Sequence, residues 1–143
     1  MIGSAGFVGG VLLPDGRVFC VPASSTSARI YDYKTNTVST PTGVFPGGSV
    51  LSFGVLLPDG RVFCCPVNST TARIYDPITD SVSTPAGTYP GLVGGLPAFA
   101  NGVLLPDGRV FMVPRSNTTT KLFSIGKIGT RPTLYLSPFQ NKP

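Results

Sequence analysis

The nine-residue string VLLPDGRVF occurs three times in this chain, at Val11–Phe19, Val55–Phe63 and Val103–Phe111. The copies start 44 and then 48 residues apart (11 to 55, and 55 to 103). When residues 11–46 are aligned with residues 55–90 without gaps, about 25 of the 36 positions are identical. Self-similarity at a period of this length is typical of repeat architectures, in which each copy is one supersecondary unit. The fold must therefore be one that a small unit builds by repetition.

The pattern within one copy predicts two β-hairpins. In the first, Val-Leu-Leu leads into Pro-Asp-Gly, whose residues favour a tight turn, and Arg-Val-Phe leads out again. The prolines at positions 22, 66 and 114 then end the strand, because proline has no amide hydrogen to donate. The second hairpin turns through Tyr33–Thr37 in the first copy and Pro77–Ser81 in the second. No stretch shows sustained 3.6-residue periodicity, so the chain is predicted to be all-β with four strands per repeat.

The string VLLPDGRVF followed by ARIYDPITDSVSTP resembles the Kelch-like repeat of the galactose-oxidase type. In that repeat a Leu-Pro-Asp-Gly-Arg hairpin precedes an Ile-Tyr-Asp-Pro strand. The chain departs from it because Pro22 and Pro66 stand where a Gly-Gly pair is usual, and because it has no Trp. It is also similar to repeat arrays in phage and large-virus proteins. The resemblance implies propeller-type blades in a single repeat domain over residues 1–143, with repeats at approximately 5–48, 49–96 and 97–143.

Three repeats raise the question of how the outermost sheets are covered, because closed propellers have about four blades or more. We expect the blades to be completed by oligomerisation, either as a ring or as a filament. The alternative is a β-trefoil, which also has three four-stranded repeats but closes within one chain. The first architecture predicts a homo-oligomer, whereas the second predicts a monomer.

The composition argues against most enzymatic chemistry. The chain has no His and no Glu, which excludes histidine-dependent triads and imidazole metal sites. Aspartates recur at the same turn position in every copy (Asp15, Asp59 and Asp107), which indicates a backbone role shared by all units. We therefore expect no catalytic residue, no cofactor and no enzyme activity.

The cysteines are predicted to be core residues. Cys20 and Cys64 occupy equivalent positions, and Met112 fills the same position in the third copy. A position that accepts Cys or Met is typical of a packed apolar site. The sequence also lacks the set of four ligands that a structural zinc site needs, so no metal site is predicted.

The Ser/Thr-rich loop between the two hairpins of each unit is the candidate binding surface. Repeated polar loops on one rim could hold a glycan through several weak sites acting together. The candidate residues are Ser24, Ser25, Thr26, Asn68, Ser69, Thr70, Asn117, Thr118 and Thr119. Asn68 and Asn117 also begin N-glycosylation sequons, which matter only in a secreting eukaryotic host.

The net charge of +5 lies in the last 41 residues, which contain six basic residues and one aspartate. Contact with an anionic partner is therefore a candidate role for Arg115, Lys121, Lys127 and Arg131. The alternative is a solvated tail that protects a sheet edge. Aromatic residues are not interleaved densely enough with these positions to indicate nucleic-acid binding.

The predicted function is that of a non-enzymatic structural and binding module. Its copies would associate, as a fibre, filament or appendage of a virion or other extracellular assembly, and present the polar loops to a glycan or protein. A monomeric trefoil-like lectin is the alternative. No apolar run is long enough to span a membrane, and no classical signal peptide is seen, because no basic residue precedes the apolar first 13 residues.

Overall fold

The computed structural model describes residues 6–47 and 51–124, and within these ranges all regular structure is β. The strands lie in chain order within four antiparallel sheets. The first sheet contains β1 (Phe7–Leu12), β2 (Val18–Pro22), β3 (Arg29–Asp32) and β4 (Thr37–Ser39). The second contains β5 (Leu51–Leu56), β6 (Val62–Pro66), β7 (Arg73–Asp76) and β8 (Ser81–Ser83). A two-stranded ribbon of β9 (Leu92–Val93) and β10 (Leu96–Pro97) follows. The third sheet contains β11 (Phe99–Leu104), β12 (Val110–Pro114) and β13 (Lys121–Phe123).

This order confirms the two predicted hairpins in the first two repeats. The fourth strand expected in the third repeat would follow β13 and lies outside the described residues. Of the two architectures considered from the sequence, the separate up-and-down sheets are those of propeller-type blades. The described part of the chain contains no helix long and apolar enough to cross a membrane.

The Pro-Asp-Gly segments form the same turn in each of the three large sheets. Gly16 N donates to Leu13 O at 2.9 Å, and Leu13 N donates to Arg17 O at 2.8 Å. The glycine adopts a left-handed conformation with φ of 91°, 89° and 87° at positions 16, 60 and 108. A side chain is disfavoured at such a φ, and this explains why each turn has glycine there.

The two-stranded ribbon was not predicted from the sequence. The second repeat exceeds the first by four residues, since the copies are 44 and then 48 residues apart. Gly94 and Gly95 both have positive φ, 59° and 79°, which is the conformation of a tight two-residue hairpin turn. The longer spacing thus results in a hairpin at the predicted boundary between the second and third repeats.

The three large sheets stack face to face, with the second sheet in the middle. One apolar cluster joins the first and second sheets, and another joins the second and third. The first strands of the three sheets lie beside one another, and β5 contacts both β1 and β11. The middle sheet is therefore buried on both faces, and every residue of its β6 is buried.

Candidate functional site

The polar loops predicted to bind a partner connect the second strand of each sheet to the third, so they lie at one end of the stack. Their side chains close their own turns. Ser25 Oγ accepts a hydrogen bond from Ser27 N at 3.1 Å and donates one to Ser27 O at 2.9 Å. Ser69 Oγ accepts from Thr71 N at 3.2 Å. These hydroxyls therefore serve a local structural purpose in each loop.

In the first two repeats, the segment that follows the fourth strand returns over the polar loop and covers part of it. Phe45 N donates to Thr26 O at 2.8 Å, and Tyr89 N donates to Thr70 O at 2.9 Å. Of the predicted binding residues, Thr26, Asn68, Thr70, Thr118 and Thr119 are exposed, and Ser24, Ser25, Ser69 and Asn117 are half-buried. The structure thus places all nine on one rim but presents only part of each loop to solvent.

Two of the four predicted anion-contacting residues lie within the described residues. Arg115 and Lys121 are exposed and flank the loop between β12 and β13. The backbone N–H of Arg115 donates to Ala98 O at 2.8 Å, so its position is fixed by the fold. Lys127 and Arg131 lie outside the described residues.

The aspartates of the Pro-Asp-Gly-Arg turns are engaged within their turns. Each pairs with the arginine two residues later, at N–O distances of 2.7, 2.6 and 2.7 Å (Asp15–Arg17, Asp59–Arg61 and Asp107–Arg109). Hydrogen bonding to Arg17 and to Arg109 lowers the pKa of Asp15 and of Asp107, respectively. Each aspartate also accepts the backbone N–H of the same arginine, at 3.0 to 3.1 Å, which is the shared backbone role that the repetition indicated.

Asp80 has a different role, because it connects two sheets. Its Oδ2 accepts hydrogen bonds from Thr42 N at 3.0 Å and from Thr42 Oγ1 at 2.8 Å, and its Oδ1 accepts one from Tyr75 Oη at 3.0 Å. Thr42 lies in the segment after β4 of the first sheet, whereas Asp80 lies in the turn before β8 of the second. The backbone bond from Thr42 is the main cause of the lowered pKa of Asp80.

The thiols occupy packed positions. Cys64 and Cys65 are buried in β6, and Cys65 Sγ lies 3.8 Å from Met112 Sδ of the third sheet. Burial raises the pKa of the Cys65 thiol to about 12. Cys20, at the position equivalent to Cys64, is only half-buried. The residues that the structure describes contain no cluster of three or more potential metal ligands.

The two sheet interfaces follow one rule. We call the side of a sheet that faces the next sheet in the chain its forward face, and the opposite side its rear face. At the first interface Phe19 on the forward face stacks on Tyr75 on the rear face, with ring centroids 4.6 Å apart. At the second interface the equivalent Phe63 stacks on Phe123 at 4.3 Å. Each interface therefore pairs an aromatic ring of a second strand with one of the following sheet's third strand.

A glycine in the first strand of the following sheet allows this close approach. A Cβ on Gly54 would lie 2.8 Å from methyl groups of Val11 and Val21 of the first sheet. A Cβ on the equivalent Gly102 would lie 2.5 Å from the ring of Phe53. Side chains are excluded at both positions by the neighbouring sheet.

The forward face of the third sheet carries apolar residues that the described chain leaves exposed. Val103 is 51% exposed and Leu122 is 46% exposed. Their equivalents in the middle sheet, Val55 and Ile74, are 8% and 3% exposed. Phe111 occupies the position of Phe19 and Phe63 on this face.

The rear face of the first sheet also carries apolar residues that the described chain leaves exposed. Leu12 and Val38 are each 64% exposed. Their equivalents, Leu56 and Val82, pack against the interface between the first and second sheets. Tyr31 occupies the position of Tyr75 and Phe123 on this face. The stack therefore ends in two apolar faces of opposite kind, one forward and one rear.

Known structures share this architecture, although no protein-family model and no curated protein matches the chain. Hydrazine synthase from Kuenenia stuttgartiensis matches with a TM-score of 0.61 and 18% identity, over 87% of this chain and 35% of that one. A catalytically inactive virginiamycin B lyase from Staphylococcus aureus, solved with quinupristin, matches with a TM-score of 0.58 and 11% identity, over 89% of this chain and 44% of that one. The WD40 β-propeller domain of Doa1 matches with a TM-score of 0.52 and 21% identity, over 79% of this chain and 34% of that one.

The protein has a propeller-like repeat architecture. At these identities the likeness shows the fold alone. The three large sheets correspond to propeller blades, and we call them blades 1, 2 and 3 in chain order. The chain spans between about a third and under half of the length of these three structures.

Sequence reasoning predicted that the outer blades would leave two open faces, but it did not identify the residues on them. The aromatic stack and the contact between Asp80 and Thr42 were also missed. The signal for the stack is present in the repeat alignment. Phe19 and Phe63 are equivalent, and so are Tyr75 and Phe123, but only the blade order shows which pairs meet.

Proposed function

We propose that the protein is a non-enzymatic structural module whose blades associate with further copies of the chain to build a larger body. The observation that carries this proposal is the pair of apolar outer faces on blades 1 and 3. The middle blade shows what such faces become when another blade covers them, because it has the same repeat and is buried on both sides. Burying apolar area of this kind yields about 25 cal/mol per Å², which favours association.

The non-enzymatic part of the proposal is supported by the contacts of the six aspartates, all of which bind other groups of the chain. The aspartates of the first hairpins pair with arginines, and Asp80 bonds to Thr42 and Tyr75. Asp32 Oδ1 and Asp76 Oδ1 each accept a backbone N–H two residues ahead, from Lys34 and Ile78, both at 2.9 Å. General acid–base chemistry needs a carboxyl group that faces a substrate.

The rim of polar loops is the part of the module that would meet another molecule. Three partly exposed loops at one end of a stack of blades can act together on a repetitive glycan or protein surface. Arg115 and Lys121 flank the third loop and would favour an acidic partner. We also propose that the blades are related to those of Kelch-type repeats and that the module belongs to a virion or other extracellular assembly.

Light scattering coupled to size exclusion, over a series of protein concentrations, tests the self-association. We expect a mass above that of one chain that rises or saturates with concentration. A single-chain mass at every concentration would contradict the proposal. Binding of the assembled protein to a glycan array tests the rim separately. An absence of glycan binding would contradict the role of the rim but not the self-association.

A further inference from the structure

The two outer faces match each other in the way that the internal faces do. At both internal interfaces the forward face supplies a phenylalanine from the second strand, and the rear face supplies an aromatic ring from the third. Blade 3 presents Phe111 on its forward face, and blade 1 presents Tyr31 on its rear face. At both interfaces of the described chain, a forward face packs on a rear face. The forward face of blade 3 is therefore expected to fit the rear face of blade 1.

Gly10 gives independent support for this pairing. It is equivalent to Gly54 and Gly102, where a Cβ would collide with the preceding blade. Among the described residues, a Cβ on Gly10 would meet only its own blade, at 3.0 Å from Val18 Cγ1 and 3.9 Å from Phe19 O, whereas a Cβ on Gly54 would meet its own blade at 3.3 Å and the preceding blade at 2.8 Å. The rear face of blade 1 therefore has the glycine that close docking of a forward face requires, although the described chain contains no blade in front of it.

We propose that the partner of each outer face is a second copy of this chain, docked head-to-tail with its blade 3 forward face on the blade 1 rear face of its neighbour. The junction would reproduce the internal interfaces, with Phe111 of one copy stacked on Tyr31 of the next and Gly10 accommodating the close approach. This inference rests on the self-association proposed above and specifies its polarity.

A head-to-tail contact has a defined structural consequence. Such a contact is heterologous, so it produces a closed ring if the rotation per chain closes and an open filament if it does not. Two three-bladed chains would give a ring of six blades, within the range of about four to eight blades of closed propellers. Face-to-face pairing of like faces would instead yield a dimer that exposes the other face.

Complementary single-face variants test the polarity. Leu12→Glu places a charge on the rear face, and Leu122→Glu places one on the forward face, at residues 64% and 46% exposed, so both chains should fold. The matched control is Ile78→Glu, which changes an exposed apolar residue, at 68%, in a turn of the middle blade. Circular dichroism melts verify folding, and light scattering measures mass.

We expect each single-face variant to be a monomer and Ile78→Glu to assemble like the wild-type chain. A 1:1 mixture of the two variants should form a complex of two chains, because each supplies the face that the other lacks. If the single variants still dimerise, or if the mixture stays monomeric while the wild-type chain assembles, the head-to-tail inference is wrong and the proposed function stands. A wild-type chain that is itself monomeric overturns both.

Discussion

At the scale of single residues, Asp80 shows how one side chain can join two repeats. The equivalent residue in blade 1 is Asn36, and both adopt a left-handed backbone, with φ of 51° and 52°. Each also accepts a hydrogen bond from the tyrosine five residues earlier, Tyr75 or Tyr31. Asn and Asp both suit this turn position. The charge at position 80 is therefore explained by the two bonds from Thr42 of blade 1 rather than by the turn itself.

Replacing Asp80 by Asn should weaken the link between blades 1 and 2 in a pH-dependent way. The folded state lowers the pKa of Asp80, chiefly through the Thr42 backbone bond, so the ionised form is stabilised by folding. This contribution is present above the ordinary pKa of 3.8 and is lost as the pH falls through the lower folded value. We expect a loss of about 1 kcal/mol at neutral pH, since solvent screening weakens such bonds.

Urea unfolding of the wild-type and Asp80→Asn chains between neutral and strongly acidic pH measures this effect. The difference in unfolding free energy should shrink towards zero at the acidic end. Thr42→Val, which removes the hydroxyl but keeps the backbone N–H, should lose less stability and keep part of the pH dependence. A difference that does not vary with pH would show that the charge of Asp80 is not the reason for its effect.

At the scale of the strand, the distance between blades is set by glycine in the first strand. Gly54→Ala should destabilise the protein because the added methyl would lie 2.8 Å from methyl groups of both Val11 and Val21. Overpacking of this kind costs about 1–3 kcal/mol. Gly9→Ala is the matched control in an equivalent edge strand, since a Cβ there would have no neighbour within 4 Å. Denaturant midpoints of the two variants decide the matter, and equal midpoints would contradict the proposed steric role.

The strands and their turns were predictable because their signals are local. Pro-Asp-Gly fixes one turn, and the prolines at positions 22 and 66 are the last residues of β2 and β6, as expected. What lies on each face was not predictable, because it depends on neighbours. Cys20 and Cys64 occur in the same Val-Phe-Cys string, but Cys64 is fully buried and Cys20 is half-buried. The residues on either side of this cysteine differ only at Val21 and Cys65, which lie on the opposite face, so the difference in burial comes from the blade that precedes Cys64.

The candidate site was predictable to a similar extent. The nine polar loop residues do lie together on one rim, as repetition in register implies. The sequence could not show that Ser25 and Ser69 use their hydroxyls to close their own turns, or that the segment after the fourth strand covers part of the loop in the first two repeats. Those contacts join parts of the chain that are close only after the sheets have formed.

At the scale of the whole molecule, the three-bladed stack ends in one forward face and one rear face, and this asymmetry gives it a direction. Cys20 lies at the rear-face position that Cys64 holds in blade 2, where it is fully buried against blade 1. A neighbouring copy docked head-to-tail should bury Cys20 in the same way. Cys64 and Cys65 are already buried, and desolvation raises the pKa of both thiols, so neither should react while the chain is folded.

The native alkylation rate of Cys20 should therefore fall as the protein concentration rises. The reacting species is the solvent-accessible thiolate, and assembly would remove it from solvent. The rate is measured by mass spectrometry of the folded protein at concentrations below and above the assembly transition seen by light scattering. Leu122→Glu, which should block the forward face, ought to leave Cys20 equally reactive at all concentrations. If Cys20 of the assembled wild-type chain reacts as fast as Cys20 of this variant, the rear face of blade 1 is not buried in the assembly.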